Sequence, residues 1–587
     1  MTKAVLETGS DSGAERSAAA VPLPALAVPA SLHASLMARL DRLGPAKEVA
    51  QIGSAIGREF SHALLAAVVA KPETELQSAL DRLIQAGLLF RQGVPPHANY
   101  LFKHALVQDA AYGTLLRSRR QHLHGEIAST LEETFPEIVE MQPEILARHC
   151  AEAGLDGKAQ KYWRTAGDQA VRRASNREAI GHFRRALALN EKLPPDIGRS
   201  RTELAILSQL GPALMSVHGW SAPEVRVAFE RAEDLARQLE SSIDLGPPLT
   251  GLWLFHTARG HFSQAHEIAN ELFNVARTLD DPDILLQAHH CAWTIRWFRG
   301  EIRDAKAHSD AGLNLYDEAR HARHRFVYLG HDPAVCALSI TSVLQWLLGY
   351  PSQGVQLEHD AINLARRLQH APSLAHALWF VCQAQVARND AAAAMNTATE
   401  LLTLSEEHGL PQTRAAALVY LGWAIGQTKD VAQGVQYLEE GLAAFNQLGL
   451  RSNLTLAICL LAETHLTGGR YESSMAQVNR AIITSSEIGD RWCLPLIYMT
   501  HARLLQQSSP NSDTAEASLR RALEVAEQQC AKGWGLRAAT SMARLWRDEG
   551  KPQQARELLA PVYGWFTEGF DTLDLKEAKA LLDELAA

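Results

Sequence analysis

A small residue returns about every forty positions through the last two-thirds of the chain, at Ala265, Ala305, Gly354, Ala394, Gly434, Ser474, Ala515 and Ala555. The successive steps are 40, 49, 40, 40, 40, 41 and 40 residues. Five residues before each stands a turn-like position: Gly260, Gly300, Gly349, Asn389, Lys429, Gly469, Pro510 and Gly550. Fixed self-similarity at this period predicts a stacked helical solenoid. In a helix–turn–helix unit the first turn of the second helix crosses close against its partner, and a Cβ branch there would hold the two apart. All eight positions are Ala, Gly or Ser, as that crossing requires. The single 49-residue step locates an insertion around Tyr316–Pro333, rich in His and Arg, which is expected to loop out of the stack.

A length of 587 residues is too great for one compact core unless the architecture is a repeat array. Aromatic content of only 6%, beside abundant Ala and Leu, suits helices packed through small and branched side chains. The net charge of −9 argues against a dedicated nucleic-acid or anionic-membrane binder. Seven cysteines lie scattered with no CxxC pair, which reads as reduced, buried thiols in a cytoplasmic protein. No run of 18 apolar residues is present, so no membrane span is expected, and Met1–Glu15 lacks the apolar stretch of a signal peptide.

Ahead of the array the organisation changes. Thr2–Leu6 reads as the last turns of a helix, and Gly9–Ala27 as a linker rich in Gly, Ser, Ala and Pro. Residues 31–135 read as one small domain. Leu32, Leu36, Leu40 and Leu43 share a helical face, Val49, Ile52 and Ile56 mark a second helix, and Leu76, Leu80 and Leu83 a third with Gly87 as its cap. Strands are predicted over Leu88–Arg91 and Tyr100–Lys103, around a turn holding Pro95 and Pro96. Three helices and a hairpin is the winged-helix order. Only helices follow from about residue 140, beginning with 142–153, 158–173 and 176–190. The expected fold is therefore all-α: a helical-repeat superhelix over 140–587 behind a small N-terminal winged-helix domain.

The repeat pattern resembles the tetratricopeptide repeat, which carries the same small residue five positions after its turn glycine. Gly422, Gly434 and Gly441 match its spacing, as do Ala462, Ser474 and Ala481. The period exceeds the usual ~34 residues, so longer helices are expected. Two segments, Val28–Phe60 and Phe102–Tyr112 (FKHALVQDAAY), resemble the winged-helix region of bacterial STAND-type signalling ATPases. In the most similar of these proteins a class III adenylate/guanylate cyclase domain and an AAA-like ATPase precede the winged helix and the repeats. His218–Leu239 and Gly330–Gly354 look like that family's repeat region, which is also MalT-like. On this resemblance residues 1–30 are the remnant of an ATPase lid plus linker, and Met1 is an internal methionine. The chain is then the non-catalytic sensor and interaction arm of a signal-transduction ATPase. It would bind a protein, peptide or other ligand in the superhelix and couple it to a nucleotide switch. A free-standing scaffold and a winged-helix DNA-binding regulator remain the alternatives.

Candidate sites are few. No GxxxxGK[ST] loop and no paired cyclase aspartates occur, so no catalytic residue and no cofactor is expected in this chain, and ATP or ADP is implied only for an intact relative. The nearest to a phosphate loop, Gly154–Ala159, reads as a helix–helix turn. Phe102-Lys103-His104 opening a helix resembles the Met-His-Asp motif of related switch ATPases, which implies that His104 reaches a bound ADP; Ala105 replaces the Asp. Arg117, Arg119, Arg120 and His122 form a basic run that would touch phosphates only if the domain bound DNA. His321, His324, His331 and Asp332 have ligand-type side chains, but a polar insertion is the ordinary explanation, the His289-His290 pair reads as repeat packing, and no metal centre is expected. Six tryptophans, Trp253, Trp293, Trp297, Trp346, Trp379 and Trp423, fall on first helices of repeats, where they either fill space or line a groove. Trp293, Arg296 and Trp297 are the groove candidates for partner binding.

Overall fold

The computed structural model describes residues 30–428, 430–508 and 512–586. The segment read as lid remnant and linker lies outside them except for Ala30, as do the turn positions Lys429 and Pro510. The chain divides into two compact units, the first ending at Leu155 and the second running from Asp156.

The first unit holds α1 (Ala30–Asp41), α2 (Ala46–Ile56), β1 (Glu59–Ser61), α3 (His62–Val69), α4 (Glu73–Gln85), β2 (Leu89–Gln92), β3 (Asn99–Phe102), α5 (Ala105–Gly113), α6 (Arg117–Thr134), α7 (Pro136–Met141) and α8 (Pro143–Glu152). The hairpin pairs in the register Leu89↔Phe102 to Gln92↔Asn99. A third strand, β1, which periodicity did not reveal, adds to β3 to give the antiparallel order β1-β3-β2. Three residues are too few to show alternation. The reason β1 forms is tertiary: its Phe60 lies against Tyr100 and Phe102, and Gly53 on α2 makes room for the Phe60 ring. Gly87 ends α4 with φ +64°, and Leu88 N–H bonds back to Leu83 O, as expected of a C-terminal cap. The unit extends past residue 135 because α8 packs on α6 through a buried chain of polar rings: Tyr112 Oη lies 2.9 Å from His124 Nε2, and His124 Nδ1 lies 2.8 Å from His149 Nδ1.

In the second unit, helices α9 (Asp156–Arg172), α10 (Asn176–Asn190), α11 (Ile197–His218) and α12 (Pro223–Gln238) lead through a 3₁₀ turn at Ser242–Leu245 into the regular array. First and second helices then alternate: α13 (Gly246–Ala258) and α14 (Phe262–Leu279), then α15 (Pro282–Phe298) and α16 (Ile302–Leu315). The insertion supplies α17 (Glu318–His321) and α18 (His324–Val327). Alternation resumes with α19 (Pro333–Leu348) and α20 (Pro351–Arg367), α21 (Ala371–Ala387) and α22 (Ala391–His408), α23 (Pro411–Thr428) and α24 (Val431–Leu448). It ends with α25 (Leu454–Thr467) and α26 (Tyr471–Ile488), α27 (Leu494–Ser508) and α28 (Ser512–Gln528), α29 (Lys532–Asp548) and α30 (Pro552–Gly564), and α31 (Leu573–Ala586).

Every one of the eight small residues sits in the first turn of a second helix and faces its partner. Ala265, Ala305, Ala394, Ala515 and Ala555 are fully buried. A Cβ on Gly434 would stand 2.6 Å from Gly422 O and 2.7 Å from Gly426 Cα, and one on Gly354 would stand 2.8 Å from Ser342 O. Ser474 turns its hydroxyl to account by donating to Ala462 O at 2.9 Å.

The array winds until its turns touch. Arg451 N–H bonds to Ala258 O and Arg491 N–H to Phe298 O, both at 2.7 Å, so the loop before a first helix meets the end of the first helix five pairs earlier. Arg537 fastens a further contact. Its guanidinium donates to both carboxylate oxygens of Asp574 at 2.9 and 2.7 Å and to Ala387 O at 2.6 Å, with the Trp346 and Trp534 rings beside it.

The insertion does not loop out. His321, His324, Tyr328, Leu329, His331 and Asp332 are buried, and α18 packs back on α11. Its polar composition misleads because several of its polar groups find partners inside the fold. Tyr316 Oη donates to Asp332 Oδ2 at 3.0 Å, and Asp332 Oδ1 caps α19 by accepting from Ala334 and Val335 N–H.

Candidate functional site

The groove candidates are inside the protein. Trp293 and Trp297 are fully buried, so in this conformation they present no surface to a partner. Trp297 lies 4.9 Å from Trp492, an inter-turn contact, and Trp293 stacks on His290 over Gly312. Arg296 turns away from both and pairs with Glu301 at 2.9 Å and Asp304 at 3.4 Å at the start of the next helix. The three residues therefore do not converge. Trp253, Trp346, Trp379 and Trp423 are buried as well, Trp379 stacked on Trp220 at 5.6 Å and Trp423 donating to Glu463 at 3.3 Å. First helices line an open concave surface only if the superhelix stays open. Here contact between turns fills it.

The accessible space lies elsewhere. A cavity of about 630 Å³ opens between α9, α11, the 3₁₀ turn and the insertion. Arg164 and Arg172 line it from α9, Arg201 from α11 and Arg323 from the insertion, with Phe326 as an apolar wall. None of these four guanidiniums forms an ion pair among the described residues, whereas many arginines of the array do. The acids in the wall are Asp168 and Asp244. Burial pushes the Asp168 carboxyl above its ordinary value, against the pull of Arg164, Arg172 and Arg323. Asp244 accepts from Ser241 Oγ at 2.6 Å. Four cationic forks facing two acids make a site suited to an anionic group, which guanidinium binds in bidentate fashion. The volume falls in the range of small-molecule sites. Sequence reasoning missed it because its wall joins helices distant in the chain; the one available signal was the arginine content of the insertion.

The first unit's candidates are at its surface. His104 is exposed and stands in extended conformation at the N-cap of α5, with no side-chain capping bond. Of the basic run on α6, Arg120 lies over the Tyr112 ring and bonds to Gly113 O, while Arg119 and His122 both pair with Glu126. Three of its four members are thus engaged within the unit. Gly154 follows α8 with φ +78°, and Gly157 and Lys158 lie in the first turn of α9, so this stretch joins two helices.

The four clustered insertion residues separate into different roles. His321 and His324 face Asp283 on α15, His331 faces His290, and Asp332 is a helix cap. The Cys291, Cys382, Cys459 and Cys493 thiols are fully buried and pushed far above their ordinary pKa by desolvation, which leaves them unreactive. No helix of the described residues is long and apolar enough to cross a membrane.

Several known proteins are similar to this chain. A family model for anaphase-promoting complex subunit 5 matches residues 312–388 and 426–508, two stretches of the array. An uncharacterised protein of Rhizobium meliloti (strain 1021) is 29% identical over 513 residues, which cover 87% of this chain and 50% of that protein. The chain thus spans about half the length of the curated relative it matches. Among solved structures, a Rap protein complexed with competence and sporulation factor is 12% identical at a TM-score of 0.45, over 65% of this chain and 99% of that one. Yeast Tom70 is 12% identical at a TM-score of 0.31, over 73% and 96%. A signal transduction ATPase with numerous domains and a tetratricopeptide repeat sensor, from Pyrococcus horikoshii, is 11% identical at a TM-score of 0.26, over 92% and 64%. With eight small residues seated at eight helix crossings, the second unit of this chain is a tetratricopeptide-like helical-repeat superhelix.

Proposed function

We propose that the chain is the non-catalytic sensor arm of a STAND-type signalling ATPase, linked in its intact form to a cyclase or another output. The arginine-lined cavity carries this reading. It is an accessible site with more guanidiniums than carboxylates in an otherwise closed coil, and its walls come from the start of the array and from the insertion in its middle. An anionic ligand bound there would brace one turn against the other, which is how binding shifts a population between two windings. On this reading the first unit is a winged helix, and His104, exposed at the start of α5, would meet a nucleotide held by an ATPase module. The arm then contributes binding and coupling.

Calorimetric titration of the chain with a panel of phosphorylated metabolites and acidic peptides tests the ligand site. Binding that is lost in Arg201→Glu and Arg323→Glu variants supports it, and equal binding by parent and variants refutes it. In a full-length relative, His104→Ala should speed ADP release; unchanged retention removes the nucleotide role. A scaffold would instead bind peptide with no nucleotide effect, and a DNA-binding regulator would show a steeply salt-dependent affinity for duplex DNA.

A further inference from the structure

Where the insertion rejoins the array, three buried side chains from three elements converge: His290 on α15, His331 from the insertion and Cys336 on α19. Their ligand atoms all lie within 4.8 Å of one another. His290 Nε2 and His331 Nε2 stand 3.3 Å apart. That is long for an N–H···N hydrogen bond. It equals the roughly 3.3 Å separation of two nitrogens bound at about 2.0–2.1 Å to one tetrahedral zinc ion. His331 Nδ1 lies 3.1 Å from Leu329 O, so Nδ1 carries the proton and the Nε2 lone pair faces His290. This is the orientation that a backbone carbonyl imposes on metal-binding imidazoles. A cavity of about 40 Å³, lined by His290, His331, Cys336 and His376, adjoins the group and has room for one water. His376 stacks on His331 at 3.9 Å and is fully buried, and neither of its ring nitrogens has a hydrogen-bond partner among the described residues. Buried polar atoms left this way are costly, and a water held by a cation gives them a partner.

A second group shows what a satisfied cluster looks like. At Asp283, His321 and His324, His321 Nδ1 accepts from Asp317 N–H at 2.8 Å, so its Nε2 carries the proton and donates to Asp283 Oδ1 at 2.9 Å. That nitrogen has no lone pair to offer, and the arrangement is complete without an ion.

We propose that His290, His331 and Cys336 bind one zinc ion, with a water in the fourth position. The mixed nitrogen and thiolate set suits zinc and disfavours magnesium and calcium, which take oxygen ligands. In the metal-free chain burial holds the Cys336 thiol neutral; zinc displaces that proton on binding. The ion would be structural, tying the insertion to two consecutive first helices. This inference goes beyond the sensor reading and stands or falls separately from it.

The test uses the full chain with any histidine tag removed. Incubated with Zn2+ and desalted, it should retain close to one equivalent by elemental analysis. Replaced by Co2+, the site should give tetrahedral visible bands and a thiolate-to-cobalt charge-transfer band. Cys336→Ser, nearly isosteric, should abolish the charge-transfer band and weaken Zn2+ binding at least roughly tenfold, while circular dichroism shows it folded. Retention well below one equivalent by the folded parent overturns the proposal. So does Zn2+ binding that Cys336→Ser and His331→Ala leave unchanged, which would place the ion on surface histidines.

Discussion

The two layers of the array are built from the same repeat and meet opposite fates. In α19, a first helix, 14 of 16 residues are buried. In α22, a second helix, only Ala394, Ala398, Leu401 and Ser405 of 18 residues are. A helix apolar all round belongs inside a structure, and one with a single stripe belongs at its surface. The first helices are therefore sandwiched: second helices cover one side, and the next turn of the coil covers the other. Inter-turn packing, rather than packing within a repeat, separates this protein from an open solenoid.

The largest effect should come from cutting that packing at its charged clasp. Asp574→Ala leaves the half-buried Arg537 guanidinium, which also holds Ala387 O, without its carboxylate, and should cost about 3 kcal/mol by denaturant titration. A loss of under about 1 kcal/mol would mean that Asp574 does not hold Arg537 at its contact with Ala387. Next comes Asp490, a fully buried carboxyl whose pKa burial pushes up to about 7. Because the folded value lies above the unfolded one, its contribution is fully present below pH ~4 and lost as pH rises through ~7. Asp490→Asn should remove this slope, so that its stability relative to the parent climbs by roughly 2–4 kcal/mol between pH 4 and 8. A constant difference would contradict the burial.

Gly434→Ala tests the contact within a repeat. The added Cβ would meet backbone atoms of α23 that cannot step aside, and a loss of about 1–3 kcal/mol is expected. The turn residue Gly469 offers a control with open space around it, where only the φ of +69° opposes alanine at about 1 kcal/mol. Equal losses at the two sites would undo the account of the small residues. The smallest effect belongs to the outer layer. Arg237 pairs with Glu233 and Glu271 on the solvent face, and Arg237→Ala should shift stability by about 0.5 kcal/mol, less at high salt.

These contrasts also mark what could be read in advance. Helix crossings depend on residues forty apart and leave a period, so Ala265 through Ala555 located every second helix. The hairpin of β2 and β3 was equally visible, since Gly87 precedes it and the paired prolines mark its turn. Contacts between turns join residues such as Ala258 and Arg451, whose separation repeats too seldom to leave a pattern. The fate of Trp293 and Trp297 depended on those contacts, as did the cavity beside Arg201 and Arg323. His and Arg in the insertion signalled solvent by composition, yet Asp283, Gln287 and Asp332 supply partners that only the folded chain brings near.

The backbone bonds from Arg451 to Ala258 and from Arg491 to Phe298 change how the molecule should come apart. An open solenoid melts as a one-dimensional chain of neighbours and can fray from either end. Once each turn is stitched to the turn below, removing a repeat strips cover from another five pairs away. Unfolding then acquires the all-or-none character of a globular domain, and removal of α29–α31 should be felt first at Trp346 and Ala387, far up the chain.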